Sequence, residues 1–221
     1  MKLNMFFLNS LAIKKYEAHQ EPFKHFTFKK FFSPSLLKEI DFFFNQNYFI
    51  PLPHPDALQE DGTSSREYVI LSEQKEFSGS ELEKFIKDKL TTPKNLGLIN
   101  KLCDPSVNLA QDNYDLCTIL YKDQNDYFIK PHRDSTDKIV TMMVYFDFEK
   151  NLPTNIGTEF YKGHKGGTFE LIRRNDFIHN TGFGFARSEK SWHGVSPVVI
   201  PKGTTRKSIA FTFFKKGEFL N

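Results

Sequence analysis

Two patterns of hydrophobic and polar positions divide the chain. From about residue 115, short β-type runs are separated by turn residues: DLCTILYK, DKIVTMMVYF, GGTFELI, GFGFAR, WHGVSPVVI and TTRKSIAFTFF. In the last of these, Ser208, Ala210 and Thr212 alternate with Ile209, Phe211 and Phe213, the period of a strand with two unlike faces. The carboxy-terminal half therefore predicts a barrel or sandwich of antiparallel sheets. The first half is mixed, with helical spacing in two stretches. Ser33 is an N-cap with Pro34 at the first helical position, followed by Leu36, Leu37, Ile40, Phe43 and Phe44 at helical spacing. A second helix starts at Ser80, where Glu83 completes a capping box and Leu82, Phe85, Ile86 and Leu90 form one face. These helices are expected to pack on one outer face of the sheets. Between them, PLPHPDALQEDGTSS (51–65) is a polar loop, long enough to be either an active-site lid or a disordered connection.

With 221 residues the chain fits one domain, since roughly 100–200 residues per domain is usual. Its aromatic share of 15%, with 25 Phe, predicts a sheet-rich interior in which large rings fill the space between layers. A net charge of only +3, spread over 30 basic and 27 acidic residues, gives no basic stripe for nucleic acid. Cys103 and Cys117 have neither metal-site spacing nor the density of a disulfide scaffold, so buried thiols and a cytoplasmic setting are expected. The opening MKLNMFFLNSLAIKKY is broken by Asn9 and Ser10 and reads as a packed terminal segment rather than a targeting signal. No apolar run approaches the ~18 residues of a membrane span.

Candidate chemistry centres on IKPHRDSTDKIV. His132-Arg133-Asp134 could open a kinase catalytic loop, but that needs an Asn five residues after the Asp, where Ile139 stands. Neither a Gly-rich loop upstream nor Asp-Phe-Gly downstream is present. On a strand, by contrast, residues at i and i+2 share a face, about 6–7 Å apart, which suits His132 and Asp134 as two ligands of one metal. His193, in SWHGVSP, lies on a β-type run that continues through Val195 and Pro197. His164 and His179 sit in turn sequence that positions a ligand less rigidly, so His193 is preferred as the third. Two imidazoles and a carboxylate with open positions make the facial triad of non-haem iron. Thirteen residues further on, Arg206 and Ser208 share a strand face, and a guanidinium beside a hydroxyl can grip a small dicarboxylate.

This order of motifs, His-x-Asp, a distal His and then Arg-x-Ser, resembles the Fe(II)- and 2-oxoglutarate-dependent dioxygenases over about residues 114–214. The resemblance implies a mainly β fold with flanking helices (α+β), a double-stranded β-helix of jelly-roll, cupin-like type. Residues 1–113 would form a mixed support whose helices pack on the major sheet, and 1–221 would be one catalytic domain. It further implies that His132, Asp134 and His193 hold iron and that Arg206 and Ser208 bind the distal carboxylate of 2-oxoglutarate. Tyr121 matches the prolyl-hydroxylase-like branch's tyrosine ahead of the metal motif, with Tyr127 as its rival. GTEFY (157–161) and GGTFELI (166–172) compete for the strand that precedes the distal His, and only the first alignment puts Glu159 near the site.

The implied cosubstrates are 2-oxoglutarate and O₂, and the implied outcome is hydroxylation of an amino acid, a protein residue or a small metabolite, with release of succinate and CO₂. Asp134 argues against halogenation, which requires the ligating carboxylate to be absent. An AlkB-type nucleic-acid demethylase would carry a second Arg six residues after the first, where Thr212 stands. Arg187 reads as a surface strand residue, the alternative being a ligand for a substrate carboxylate. Trp192 should face away from His193. A cupin-like metal-dependent isomerase or hydrolase, or a non-catalytic metal-binding module, would share the ligands but need no Arg-Ser pair.

Overall fold

The computed structural model describes residues 12–52, 54–104, 106–109 and 114–218. The segment before Ala12 lies outside the described residues; from there Ala12 and Ile13 are buried. Among the described residues, twelve strands and three α-helices follow in the order β1 (Tyr16–His19), β2 (His25–Lys29), α1 (Pro34–Phe44), β3 (Ile50–Pro51), β4 (Arg66–Ile70), α2 (Glu81–Phe85), α3 (Pro93–Cys103), β5 (Tyr114–Asp123), β6 (Ile129–His132), β7 (Lys138–Phe146), β8 (Glu159–Gly163), β9 (Phe169–Arg174), β10 (Thr181–Ala186), β11 (Trp192–Val195) and β12 (Arg206–Lys215). An eight-stranded sheet of order β1-β2-β10-β7-β12-β5-β4-β3 faces a four-stranded sheet of order β6-β11-β8-β9, all pairs antiparallel. From β5 onward the chain shuttles between the two, and this jelly-roll-like path brings β6 and β11 side by side. None of the described helices is long and apolar enough to cross a membrane.

The central strands of the large sheet are buried on both faces, and the alternation read from β12 sorts them. Ile209, Phe211 and Phe213 of β12, with Val140, Met142, Val144 and Phe146 of β7, point outward into the layer formed by Ile40, Phe43 and Phe44 of α1. The inner face carries Tyr145, Phe183 and Phe185 against Phe160 and Val195 of the small sheet. Gly182 and Gly184 face the rings of Phe28 and Phe26 on β2, which fill the space where a Cβ would sit. The repeated Gly-Phe of β10 thus feeds rings to one side and room for rings to the other.

Both read helix starts are present. Ser33 Oγ accepts from the Leu36 N–H at 3.4 Å, and Ser80 Oγ accepts from the Glu83 N–H at 3.0 Å. The Glu83 carboxylate caps the Gly79 N–H at 2.7 Å instead of the Ser80 N–H. After α2 the helix widens to a π turn over 86–90 before α3 begins. Four strands of the large sheet, β1 to β4, come from the first half, so the mixed support expected there supplies strands as well as helices. β11 stops at Val195 and does not run on to Pro197: the Ser196 N–H turns to Glu159, and Pro197 has no N–H to offer a ladder.

Candidate active site

β6 and β11 are neighbours in register, with His132 directly opposite His193 and the ring centroids 4.4 Å apart. Asp134 is not on the strand, as the alternation suggested. β6 ends at His132, one residue after Pro131 interrupts the ladder, and Asp134 lies in the connection to β7. Its carboxylate nevertheless reaches the imidazoles, because one ligand atom from each of His132, Asp134 and His193 lies within 4.8 Å of the others. Among the described residues no other group of His, Cys, Asp and Glu converges this way. His164 is exposed on its turn, and the His179 Nδ1 accepts from the Asp147 N–H at 3.3 Å.

The backbone prepares these side chains for a cation. Each imidazole donates through Nδ1 to a carbonyl two residues earlier, His132 to Lys130 at 2.9 Å and His193 to Ser191 at 3.0 Å. That fixes the tautomer and leaves both Nε2 lone pairs free. Burial lowers both rings' pKa, His132 to about 3 with the neighbouring His193 adding to the effect, so both are neutral at neutral pH. Burial, the largest single effect, works the other way on Asp134, but Lys138, His193 and the Thr141 hydroxyl together outweigh it and hold the carboxyl well below the usual range. Lys138 Nζ donates to Oδ1 and Thr141 Oγ to Oδ2, both at 2.7 Å. A neutral-N₂, anionic-O set of this kind suits a divalent first-row metal.

The three side chains open on a cavity of about 200 Å³ whose wall also includes Arg66, Tyr121 and Tyr127. Leu52, His54 and Ala57 of the 51–65 loop roof it. His54 differs from the other two histidines. Its Nδ1 accepts from the Asp56 N–H at 3.2 Å, so a neutral ring carries its proton on Nε2 and offers a donor, not a ligand.

Away from the triad lies a buried charge network. Asp123 takes two hydrogen bonds from Arg66, at 2.6 and 3.0 Å, and a third from Arg206 Nη1. Arg206 is 0% exposed. Its Nε donates to the Ile156 carbonyl at 2.8 Å. Arg206 Nη2, Ser208 Oγ and Tyr127 Oη are all buried with no hydrogen-bond partner among the described residues. Buried polar atoms are seldom left so, and three donors around a doubly cationic pair that shares one carboxylate fit an incoming anion. Arg66 lies between the rings of Tyr121, 4.4 Å away, and Tyr127, 4.2 Å away. Arg66, Asp123, Lys138, Thr141 and His54 were not singled out by sequence reasoning. Only the pairing of β4 with β5, which puts Arg66 opposite Asp123, gives the first two a role.

Of the remaining candidates, Glu159 does stand opposite Gly194 on the strand beside β11, which favours GTEFY over GGTFELI for that strand. Its carboxylate nonetheless serves Arg174, Tyr161 and Ser196 and does not line the metal-side cavity. Trp192 faces away from His193, under the Arg133 guanidinium at 4.7 Å. Cys103 and Cys117 are free, buried thiols.

No family model matches the sequence, and a search of curated proteins returns no match. Solved structures do share the fold. HygX from Streptomyces hygroscopicus, determined with nickel, 2-oxoglutarate and hygromycin B bound, superposes with a TM-score of 0.55 at 9% identity, over 98% of this chain and 88% of that one. A Pseudomonas putida prolyl-4-hydroxylase gives 0.54 at 14% identity over 95% and 97%. A Trichoplax adhaerens prolyl hydroxylase in complex with a hypoxia inducible factor peptide fragment gives 0.52 at 11% over 95% and 90%. The chain therefore shares the overall fold of these proteins.

Proposed function

We propose that this protein is an Fe(II)- and 2-oxoglutarate-dependent oxygenase, a single domain spanning residues 1–221 whose two sheets form a double-stranded β-helix. One observation carries the reading: a two-imidazole, one-carboxylate cluster opens on a cavity walled by Arg66, whose buried network with Asp123 and Arg206 holds one unmatched positive charge. The solved structures of like fold support it, two of them being prolyl hydroxylases and one holding 2-oxoglutarate.

His132 and His193 would hold the metal through Nε2 and Asp134 through a carboxylate oxygen. Thr141 and Lys138, each donating to one of its oxygens, would keep that carboxylate in place. The far carboxylate of 2-oxoglutarate would be bound by Arg206 and Arg66, with the orphan hydroxyls of Ser208 and Tyr127 taking the remaining lone pairs. Tyr127, with its fully buried and unpartnered hydroxyl, fits this role better than Tyr121, which would flank the cosubstrate as part of the cavity wall. Bound iron, 2-oxoglutarate and O₂ supply the oxidation of a C–H bond of an amino acid, peptidyl residue or small metabolite, with succinate and CO₂ as coproducts. The 51–65 loop would act as the roof that excludes water, with the His54 Nε2–H available to orient an acceptor on the substrate.

Anaerobic addition of Fe(II) and 2-oxoglutarate should produce the weak visible band of the chelate. The band should vanish in His132→Ala and weaken strongly in Arg206→Ala. Iron binding with neither band nor aerobic succinate release would point to a cupin-like hydrolase or isomerase instead.

A further inference from the structure

Outside the inner cavity, on the other side of His132 and Asp134, lies a second cavity of about 350 Å³ lined by Arg133, Arg187, Lys165, Trp192 and Phe169. His132 and Asp134 belong to both walls, so the candidate metal centre stands in the partition between them. The outer cavity has an aromatic floor, with the Trp192 and Phe169 rings 4.9 Å apart, and a cationic side. Arg133 stacks over Trp192. Arg187 is held towards the metal loop by its Nε, which donates to the Asp134 carbonyl at 3.4 Å. The two guanidiniums converge on one carboxylate. Glu189 Oε1 takes Arg187 Nη1 at 2.7 Å, and Glu189 Oε2 takes Arg133 Nη1. The Glu189 side chain is 71% exposed, so this bridge is of the solvent-screened kind that contributes little and exchanges readily.

We infer that Arg133 and Arg187 form a receptor for a carboxylate of the substrate, and that Glu189 occupies it only until a ligand arrives. The substrate would then be an acid, its carboxylate on the arginine fork, its body on Trp192 and its reacting carbon over the partition. Asp56 is the one acidic lining residue besides Asp134, and Lys165 approaches from the opposite turn, so the cavity favours anions over cations. Calling the ligand a substrate rests on the oxygenase reading; the binding does not.

Trp192 is the chain's single tryptophan and lines this cavity, so its fluorescence, excited beyond the absorption of the tyrosines, reports on binding there. The test titrates the full-length, Fe(II)- and 2-oxoglutarate-loaded protein under anaerobic conditions with two pairs of probes. L-glutamate against L-glutamine represents free acids, and an N-acetylated, C-amidated tripeptide with a central Glu against its Gln counterpart represents peptidyl acids. A saturable change with an acid but not with its amide is expected, and the member of the pair that responds names the source. In Arg187→Met and Arg133→Met the apparent Kd should rise tenfold or more, whereas in Glu189→Gln it should fall about threefold to tenfold. A response equal for acid and amide, no acid-selective response, or Kd values indifferent to all three substitutions would overturn the proposal. Chelate formation in the same wild-type sample is read separately in the visible range, so failure of the oxygenase reading is distinguishable from failure of this one.

Discussion

His132 faces His193 across one antiparallel rung, and each ring is anchored through Nδ1 to a backbone carbonyl. Two lone pairs are thereby aimed by main chain, not by loops. Cobalt(II) titration followed by its visible spectrum should show one tight site, abolished in His193→Ala. His54→Ala should keep that site, because the His54 Nδ1 is already an acceptor.

The Thr141 hydroxyl orients the third ligand from behind, on Asp134 Oδ2. Partners of this kind are typically worth about 10–100-fold in metal affinity. Thr141→Val should weaken cobalt binding by that order without changing its stoichiometry.

Asp123 lies between Arg66 and Arg206, buried with both. Removing one member of a buried charged set leaves an uncompensated partner and costs roughly 3–5 kcal/mol. Urea unfolding should register a loss of that order in Asp123→Asn. In the wild type, 2-oxoglutarate at a hundredfold excess over its Kd should add ~2.7 kcal/mol by mass action. That increment should disappear in Arg206→Ala even where the variant remains folded.

Much of the fold was readable where the signal is local. Ser33-Pro34 and Ser80 start helices because a capping hydroxyl acts within three residues of itself, and β12 alternates because one face meets helices and the other the cavity. His132, Asp134 and His193 could be found because their spacing follows the shuttle of the chain between sheets. The short strands β1 to β4 were harder. HFTFK alternates over only five residues, and beyond its short neighbour β1 its other partner, β10, lies far along the chain. The start of α3 carries the same signature as α1, a hydroxyl cap at Thr92 followed by Pro93, but Asn95 and Gly97 blur the helical period behind it. Arg66 was illegible for a different reason, since nothing near it in sequence distinguishes it from a solvated strand residue.

His25 is buried between Phe23, Phe160 and Phe185, with its Nδ1 on the Phe23 carbonyl at 2.8 Å. Burial lowers its pKa to about 4, and His19 and Arg173 add to the shift against the Phe23 carbonyl. The unfolded chain therefore binds the proton more readily, and stability falls as pH drops from the ordinary imidazole value of about 6.5 towards 4. The melting temperature should follow a shallower pH slope over that window in His25→Phe than in the wild type.

Gly182 and Gly184 leave no room for a methyl group. A Cβ at 182 would lie 2.0 Å from the Met143 carbonyl oxygen, and one at 184 would meet the Phe26 ring. Gly182→Ala should lower stability by about 1–3 kcal/mol, the range for overpacking, with Gly184→Ala smaller because a ring can tilt where a carbonyl cannot.

The two thiols sit in different layers, Cys103 at the end of α3 among the residues packed on the large sheet, and Cys117 in mid-strand on β5 opposite Thr212. Burial raises both thiols, Cys117 to about 12, so neither is a thiolate at neutral pH while the chain is folded. An alkylating reagent can then touch only molecules that have already opened. Labelled at each position separately, the pair would time how soon the helical coat lifts and how soon the sheet beneath it parts.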